Sequence, residues 1–168
     1  MWRARRRYLA LASIVIVLDQ ATKTWALDAL DDGHVIDVVW TLRFSLGFNS
    51  GMAFSRAEGW GPVIGVVATG VLVYLLSTLR RAGSVASATG LALVIGGASG
   101  NLVDRLFRGD AWMRGSVVDF IDLQWWPVFN MADSAITVGA VLLVLGAFRE
   151  GRHGAAEQRD DVAEGPGR

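Results

Sequence analysis

The order of apolar and polar residues divides the chain into four long apolar stretches separated by more polar segments. Each stretch is roughly 17 to 21 residues long, about the length that a helix needs to cross a hydrocarbon core. A helix also satisfies its own backbone hydrogen bonds inside a bilayer. The sequence therefore predicts a membrane α-helical fold with four transmembrane helices. The predicted spans are residues 8–27, 61–79, 87–107 and 132–148.

The segments between these spans show a different period. From 38 to 46, apolar and polar residues alternate, which predicts a half-buried strand with an aromatic face just outside the bilayer. Residues 117–126 predict a second strand with poorer alternation. The two would form a small extracytoplasmic β-cradle. Residues 151–168 are polar and charged, and we predict a disordered cytoplasmic tail there.

The distribution of charge predicts the orientation of the spans. The chain has 16 basic and 16 acidic residues, and arginines flank the apolar stretches before the first, between the second and third, and after the fourth. The positive-inside rule then puts both termini in the cytoplasm. A cleaved signal peptide is the alternative for the start, but Asp19, Gln20 and Lys23 continue that segment without a small-residue cleavage site.

Composition excludes several classes of function. A net charge of zero leaves no basic stripe for nucleic acid, so we expect no nucleic-acid partner. The chain has no cysteine, which excludes disulfides and thiolate catalysis. His34 and His153 lie far apart in polar stretches, so the sequence predicts no histidine metal site.

Ionisable residues inside the predicted spans point to function, since each costs about 2.5–3.5 kcal/mol to insert. Asp19 and Lys23 stand four residues apart on the first helix, where they can pair. We expect this pair to orient other groups. Asn101, Asp104 and Arg105 form a polar patch on the third helix. Asp104 is predicted to be a fixed anion that orients Arg105, and not a proton acceptor.

The stretch SVVDFIDLQWWPVFNMADSAI, residues 116–136, contains three aspartates and no basic residue. Asn130 suits the N-cap of the fourth helix, which puts Asp133 in the first turn, where the helix dipole favours an anion. Asp119 lies between valines and Phe120, so burial would disfavour its charge. If the two carboxyl groups meet, they would share one proton and could act as acid and base on a water molecule.

Five short motifs follow one another along most of the chain. They are LDQATK at 18–23, FNSGMAF at 48–54, GGASGNLVDRL at 96–106, VVDFID at 117–122 and FNMADSAI at 129–136. Together they resemble the lipoprotein signal peptidase (signal peptidase II) family of bacterial membrane aspartic endopeptidases. The resemblance implies one membrane peptidase domain in residues 1–150 that removes signal peptides from diacylglyceryl-modified prolipoproteins, just before the lipidated cysteine.

The resemblance also implies roles for individual residues. It makes Asp119 and Asp133 the catalytic pair, and it implies no cofactor and no metal. Eight further residues would bind the substrate or support the pair: Asn49, Gly51, Asn101, Asp104, Arg105, Asn130, Asp19 and Lys23. The implied location is the bacterial cytoplasmic membrane, in a multi-pass protein with its active site near the outer face. The expected partners are lipid-modified prolipoproteins and membrane lipids, and a monomer is expected.

One segment departs from the family pattern. The connection 105–118 is longer than in many members, which leaves its shape open.

Three other functions fit the sequence less well. A proton-coupled carrier would need polar groups through the full depth of several helices, whereas the second span is apolar apart from Thr69, Ser77 and Thr78. A scaffold needs no facing carboxylates. A metal-dependent lipid transferase needs a tight group of ligands, which the dispersed aspartates do not form.

Overall fold

The structure is a computed structural model that describes residues 2–50, 61–110 and 112–164, mostly as helices with one small sheet. The helices are α1 (Trp2–Leu30), α2 (Gly61–Thr78), α3 (Val85–Phe107) and α4 (Met131–Glu164), with a short 3-10 turn at Leu79–Arg81. The strands are β1 (Ile36–Val39), β2 (Leu42–Asn49) and β3 (Val117–Asp122). A helix is thus confirmed over each predicted apolar stretch.

Three helices are long and apolar enough to cross a membrane, within the described part of the chain. They are the stretches Arg5–Leu30 of α1, Val85–Phe107 of α3 and Met131–Arg152 of α4. The remaining helix, α2, is apolar and has 18 residues. The protein therefore has the helices of a multi-pass membrane protein, and a fourth crossing by α2 stays a prediction.

Small residues let α3 pack closely against both of its long neighbours. A side chain at Gly90 would stand 2.7 Å from the carbonyl oxygen of Gly139 on α4, and one at Gly97 would collide with the Ala132 carbonyl oxygen. On another face, a side chain at Gly96 would stand 2.8 Å from the Ala12 carbonyl oxygen of α1. Such close backbone approach is typical of helices packed in a bilayer.

The two ends of the helix bundle differ in content. At one end, Ser87 near the start of α3 donates a hydrogen bond to Glu150 of α4, at 3.0 Å. The start of α1 also packs there, since Tyr8 and Leu9 lie against the apolar cluster that contains Leu79 and Ala88. The other end holds the last turns of α1 and α3, the first turn of α4 and the sheet. Both arginine-rich termini therefore lie at the end away from the sheet.

The sheet has the antiparallel order β1-β2-β3, and its first two strands correct a prediction. The alternating segment 38–46 is not one strand, because the chain turns at Trp40 and Thr41. Trp40 adopts a left-handed backbone with φ of 54°. The turn has no glycine, proline or asparagine, so it carries none of the usual sequence signals. The alternation continues on both sides of it and hides the reversal.

Aromatic rings seat the sheet on the C-terminal part of α1. The Trp25 ring meets Phe44 of β2 edge-on with centroids 5.3 Å apart, and Phe120 of β3 at 6.1 Å. Ala26 and Leu30 of α1 are fully buried beneath Phe120. Because Phe120 follows Asp119, this packing fixes the strand that carries Asp119.

The end of α4 also differs from its prediction. The tail was predicted to be disordered from 151, but the described backbone stays helical to Glu164. The tail has no apolar face that it could bury against the protein. Its alanine, glutamate, glutamine and arginine residues are nevertheless good helix formers. A helix already started by α4 needs no new nucleation to continue through them. Residues 165–168 lie outside the described part.

The close approach of α3 and α4 predicts that Gly90→Ala destabilises the protein by about 1–3 kcal/mol, since the added methyl group overpacks the contact with Gly139 and Leu143. Gly70→Ala on α2 is the matched control, because a side chain there meets nothing within 4 Å. Unfolding in detergent micelles with increasing dodecyl sulfate measures both. Equal stability of the two variants would contradict the packing argument.

Candidate active site

Asn130 and Asp133 cap the start of α4 reciprocally. The Asp133 backbone N–H donates to Asn130 Oδ1 at 3.0 Å, and the Asn130 backbone N–H donates to Asp133 Oδ2 at 3.2 Å. This is an asparagine–aspartate version of the capping box. The predicted N-cap is confirmed, and Asp133 lies in the first turn as expected.

Asp119 lies on β3 opposite Gly47 of β2, and its side chain faces α4. Only 4% of the residue is exposed. Asn130 Nδ2 donates to Asp119 Oδ1 at 2.6 Å, and the Asn49 side chain also hydrogen-bonds this carboxyl group. Burial raises the pKa of Asp119 to about 6; the hydrogen bond from Asn130 opposes that rise and the charge of Asp133 adds to it.

A single asparagine thus contacts both carboxyl groups. The Asn130 side-chain amide holds Asp119, and the Asn130 backbone amide holds Asp133. The repulsion that Asp119 experiences from Asp133 also indicates that the two are close. The predicted meeting of a loop acid with the acid of the last helix is consistent with this geometry. Among the described residues, neither of the two carboxyl groups forms an ion pair.

Asn101 of α3 orients Asp133 from the other side. Its Nδ2 donates to Asp133 Oδ1 at 2.9 Å. Its Oδ1 accepts from Lys23 Nζ at 2.8 Å and from Asn130 Nδ2 at 3.2 Å. Two donors on the oxygen fix which way the amide points, so the Nδ2 group has to face Asp133.

Lys23 forms a fully buried ionic cluster with two carboxylates. Its Nζ lies 2.8 Å from Asp19 Oδ2 and 2.8 Å from Asp104 Oδ2, and all three side chains are inaccessible to solvent. The predicted Asp19–Lys23 pair is confirmed. With Asn101 as the third acceptor, the three N–H bonds of the ammonium group are all used.

Each carboxylate of this cluster also holds the backbone next to one of the two acids. Asp19 Oδ1 accepts the backbone N–H of Ala132 at 3.0 Å, immediately before Asp133. Asp104 Oδ2 accepts the backbone N–H of Val118 at 3.2 Å, immediately before Asp119. The cluster therefore connects β3 and the start of α4 to the same ammonium group.

The prediction that Asp104 orients Arg105 is wrong. Asp104 Oδ1 instead accepts from Arg108 Nε at 2.8 Å, and Arg105 Nη1 donates to the Ser50 carbonyl oxygen at 3.4 Å. Adjacent helical residues point in different directions, whereas residues four apart share a face. Arg108 was not predicted from the sequence as part of the site, although its i,i+4 spacing from Asp104 indicates such a pair.

Gln20 is a second residue of the site that was not predicted from the sequence. Its Nε2 donates to Asp104 Oδ1 at 3.0 Å and to the Gly100 carbonyl oxygen at 3.1 Å. Gln20 follows Asp19 in the LDQATK motif, and in the sequence it looks like any other polar residue of a helix. Only its contacts in the folded structure show that it belongs to the site.

A cleft of about 280 Å³ opens beside Asp119. Asp119 is the one titratable residue among those that line it within the described part of the chain. The lining residues are Gly47, Phe48, Asn49, Ser50, Asp119 and Val128. Asn49 therefore lies at the cleft as predicted, whereas Gly51 lies outside the described residues. Across the described ranges, no group of three or more histidine, cysteine, aspartate or glutamate residues could hold a metal ion.

Comparisons with known proteins agree with one another. The sequence model of a family described as signal peptidase (SPase) II matches residues 11–149. A lipoprotein signal peptidase of Mycobacterium leprae (strain Br4923) is 45% identical over 144 residues, which is 85% of this chain and 72% of that protein. A lipoprotein signal peptidase of Mycobacterium tuberculosis (strain ATCC 25618 / H37Rv) is 44% identical over 144 residues, 85% of this chain and 71% of that protein.

A solved structure has the same fold. It is described as a bacterial membrane enzyme structure determined by the in meso method at 2.3 Å resolution. It is 25% identical in sequence and superposes with a TM-score of 0.75. The match covers 86% of this chain and 89% of that chain.

The raised pKa of Asp119 predicts a specific pH dependence of stability. Between pH 3.8 and about 6 the folded protein binds more protons at this site than the unfolded chain, so Asp119 lowers the free energy of unfolding as pH rises through this window. Asp119→Asn should therefore be more stable than the wild type at pH 7.5, by about 1–3 kcal/mol, and lose that advantage below pH 4.

Unfolding at both pH values in detergent micelles measures this difference. Asp37→Asn on β1 is the matched control, because it makes the same change at an exposed position of the same sheet. An advantage of Asp119→Asn that is equal at both pH values would contradict the titration of Asp119.

Proposed function

The chain belongs to the lipoprotein signal peptidase (signal peptidase II) family, and on that premise we propose that Asp119 and Asp133 are its catalytic pair. Family membership makes the protein a hydrolase of lipoprotein processing. The observation that carries the aspartic mechanism is the bridge by Asn130, whose side chain holds Asp119 while its backbone amide holds Asp133. One residue thereby sets the spacing of two carboxyl groups.

The proposed reaction uses one water molecule between the two acids. Asp133 takes a proton from the water while the water oxygen attacks the carbonyl carbon of the substrate. Asp119 gives its proton to the carbonyl oxygen. The tetrahedral intermediate then breaks at its C–N bond. The departing amine takes the proton from Asp133, and Asp119 recovers a proton from a hydroxyl group of the intermediate. Both acids return to their starting states.

The assignment of Asp119 as the acid follows from its surroundings. Burial raises its pKa to about 6, so it holds a proton far more readily than an ordinary aspartate. A substrate that fills the cleft would remove more water from this carboxyl group and favour the protonated form further. Asp133 is then the base, and the hydrogen bonds from Asn101 and the Asn130 backbone hold both of its oxygens in place.

The cleft gives the substrate a place beside the acid. Asn49 and Ser50 line it next to Asp119, and Arg105 donates to the Ser50 carbonyl oxygen. We assign Asn49 and Arg105 to holding the substrate backbone, and Asn101 and Asn130 to orienting the pair. Gly51 belongs to the same motif as Asn49 and is assigned the same general role from its position in the sequence.

The proposed substrates are diacylglyceryl-modified prolipoproteins, cut just before the lipidated cysteine. The protein would be a monomer with four spans and both termini in the cytoplasm, and its site would lie near the outer face. The fold supports this orientation because the arginine-rich ends lie away from the sheet. Near the sheet, Trp40, Trp125 and Trp126 are exposed, as expected of an interfacial aromatic belt. A substrate anchored by acyl chains in the outer leaflet would reach such a site by lateral movement.

The proposal predicts that Asp119→Asn and Asp133→Asn each lower cleavage of a diacylglyceryl prolipoprotein by at least about 10³-fold, since an amide can neither donate nor accept the required proton. Cleavage by the purified full chain in detergent, followed by gel mobility, measures the loss. Asp37→Asn is the control, because it makes the same change on an exposed part of the sheet. Substantial turnover by both site variants would defeat the aspartic mechanism.

A second comparison tests the substrate class. The same prolipoprotein without its diacylglyceryl group should be cut at a much lower kcat/KM, since the lipid supplies much of the proposed binding. Equal cleavage of the two forms would contradict the lipid requirement and leave the aspartic mechanism standing.

A further inference from the structure

Arg108 is the member of the site with no role so far. It follows the last residue of α3, and its Nε donates to Asp104 Oδ1 at 2.8 Å. Its second contact is from Nη2 to Gln20 Oε1 at 3.3 Å. The Arg108 side chain is 25% exposed, whereas Asp104 is completely buried. Arg108 therefore covers the buried cluster from its solvent side.

The charges of the cluster balance only when Arg108 is included. Asp19 and Asp104 bring two negative charges into a fully buried site, and Lys23 brings one positive charge. A buried charge without a partner is costly and is usually neutralised by a change of protonation. Arg108 supplies the second positive charge in direct contact with Asp104, so this carboxylate can stay ionised.

Ionised Asp104 matters because its two oxygens do different work. Oδ1 is held by Arg108 and Gln20, and Oδ2 accepts from Lys23 and from the Val118 backbone N–H. Val118 precedes Asp119 in β3. The restraint on Oδ1 thus determines where Oδ2 lies, and Oδ2 determines where the strand holds Asp119.

We propose that Arg108 is a positioning residue of the reaction, which acts on Asp119 through Asp104. This proposal rests on the proposed role of Asp119, and it adds to the site a residue that does not line the cleft. Without Arg108, Asp104 keeps only Gln20 on Oδ1 and shares one lysine with Asp19. The carboxylate is then free to turn or to take up a proton, and the Val118 contact loosens.

The test compares Arg108→Gln, Arg108→Lys and the control Arg114→Gln in steady-state cleavage of a diacylglyceryl prolipoprotein by the purified full chain. Arg114 is exposed in the same connection and forms no ion pair among the described residues. Arg108→Gln should lower kcat about tenfold and change KM less than about twofold, because a shifted acid weakens the chemical step and not the binding of substrate. Arg108→Lys should recover most of kcat, since it restores the positive charge, and Arg114→Gln should behave as the wild type.

A purely structural role would give another pattern. The Tm of Arg108→Gln would fall while kcat per folded molecule stayed at the wild-type value, and that result would overturn the proposal. An unchanged kcat with an unchanged Tm would overturn it too. If Arg108→Gln does not fold, Gln20→Met removes the other donor to Asp104 Oδ1 without a change of charge; it should lower kcat severalfold at constant KM, and a wild-type kcat would again overturn the proposal.

The controls separate this inference from the proposed function. Each experiment includes the wild type and Asp119→Asn. If Asp119→Asn is inactive and Arg108→Gln is fully active, only the positioning role fails. If Asp119→Asn is active, the catalytic pair itself fails, whatever Arg108 does.

Discussion

The buried ammonium group of Lys23 is the contact on which the site depends. Three helices and one strand meet at it, because it binds Asp19 of α1, Asp104 of α3 and the Asn101 amide, and these in turn hold β3 and the start of α4. Removing such charges from water is expensive and is offset only when every donor and acceptor has a partner. Here the three donors of Lys23 are all used, so the cluster allows one arrangement of its neighbours.

The close packing of the helices is what makes this cluster geometrically possible. A side chain at Gly100 would stand 2.5 Å from Asp19 Oδ2, so only glycine leaves the carboxylate its place between α1 and α3. At Gly97 a side chain would collide with the carbonyl oxygen of Ala132, the residue whose N–H Asp19 accepts. The small residues and the buried charges therefore act together. The small residues let the backbones approach, and the buried charges fix the register of the helices.

The four aspartates of the site differ in their partners. That difference distinguishes the two supporting aspartates from the two proposed catalytic ones. Asp19 and Asp104 each contact Lys23 directly, and Asp104 contacts Arg108 as well. Asp119 and Asp133 receive only neutral amides among the described residues. A cation in direct contact favours the charged form of a carboxylate, whereas burial and the like charge of Asp133 favour the protonated form of Asp119. Asp119, with a pKa of about 6, is the member of the second kind that opens into the cleft.

The resemblance to family motifs singled out Asp119 and Asp133, whereas the chain's own local patterns predicted the four helices, the N-cap at Asn130 and the Asp19–Lys23 pair. These follow from local rules, since hydrophobic period, capping and i,i+4 spacing involve residues close together in the chain. The turn at Trp40 was hidden because nothing in its composition marks it.

Only the tertiary structure decided which partners Asp104 takes, how one asparagine bridges both acids, and that Gln20 and Arg108 belong to the site. Asp104 meets Lys23 and Val118 through contacts between distant segments, and Asn130 meets Asp119 across the gap between β3 and α4. A polar residue on a helix has several possible neighbours in sequence. Its actual partner depends on how closely the helices pack and how they are rotated, which no local pattern specifies.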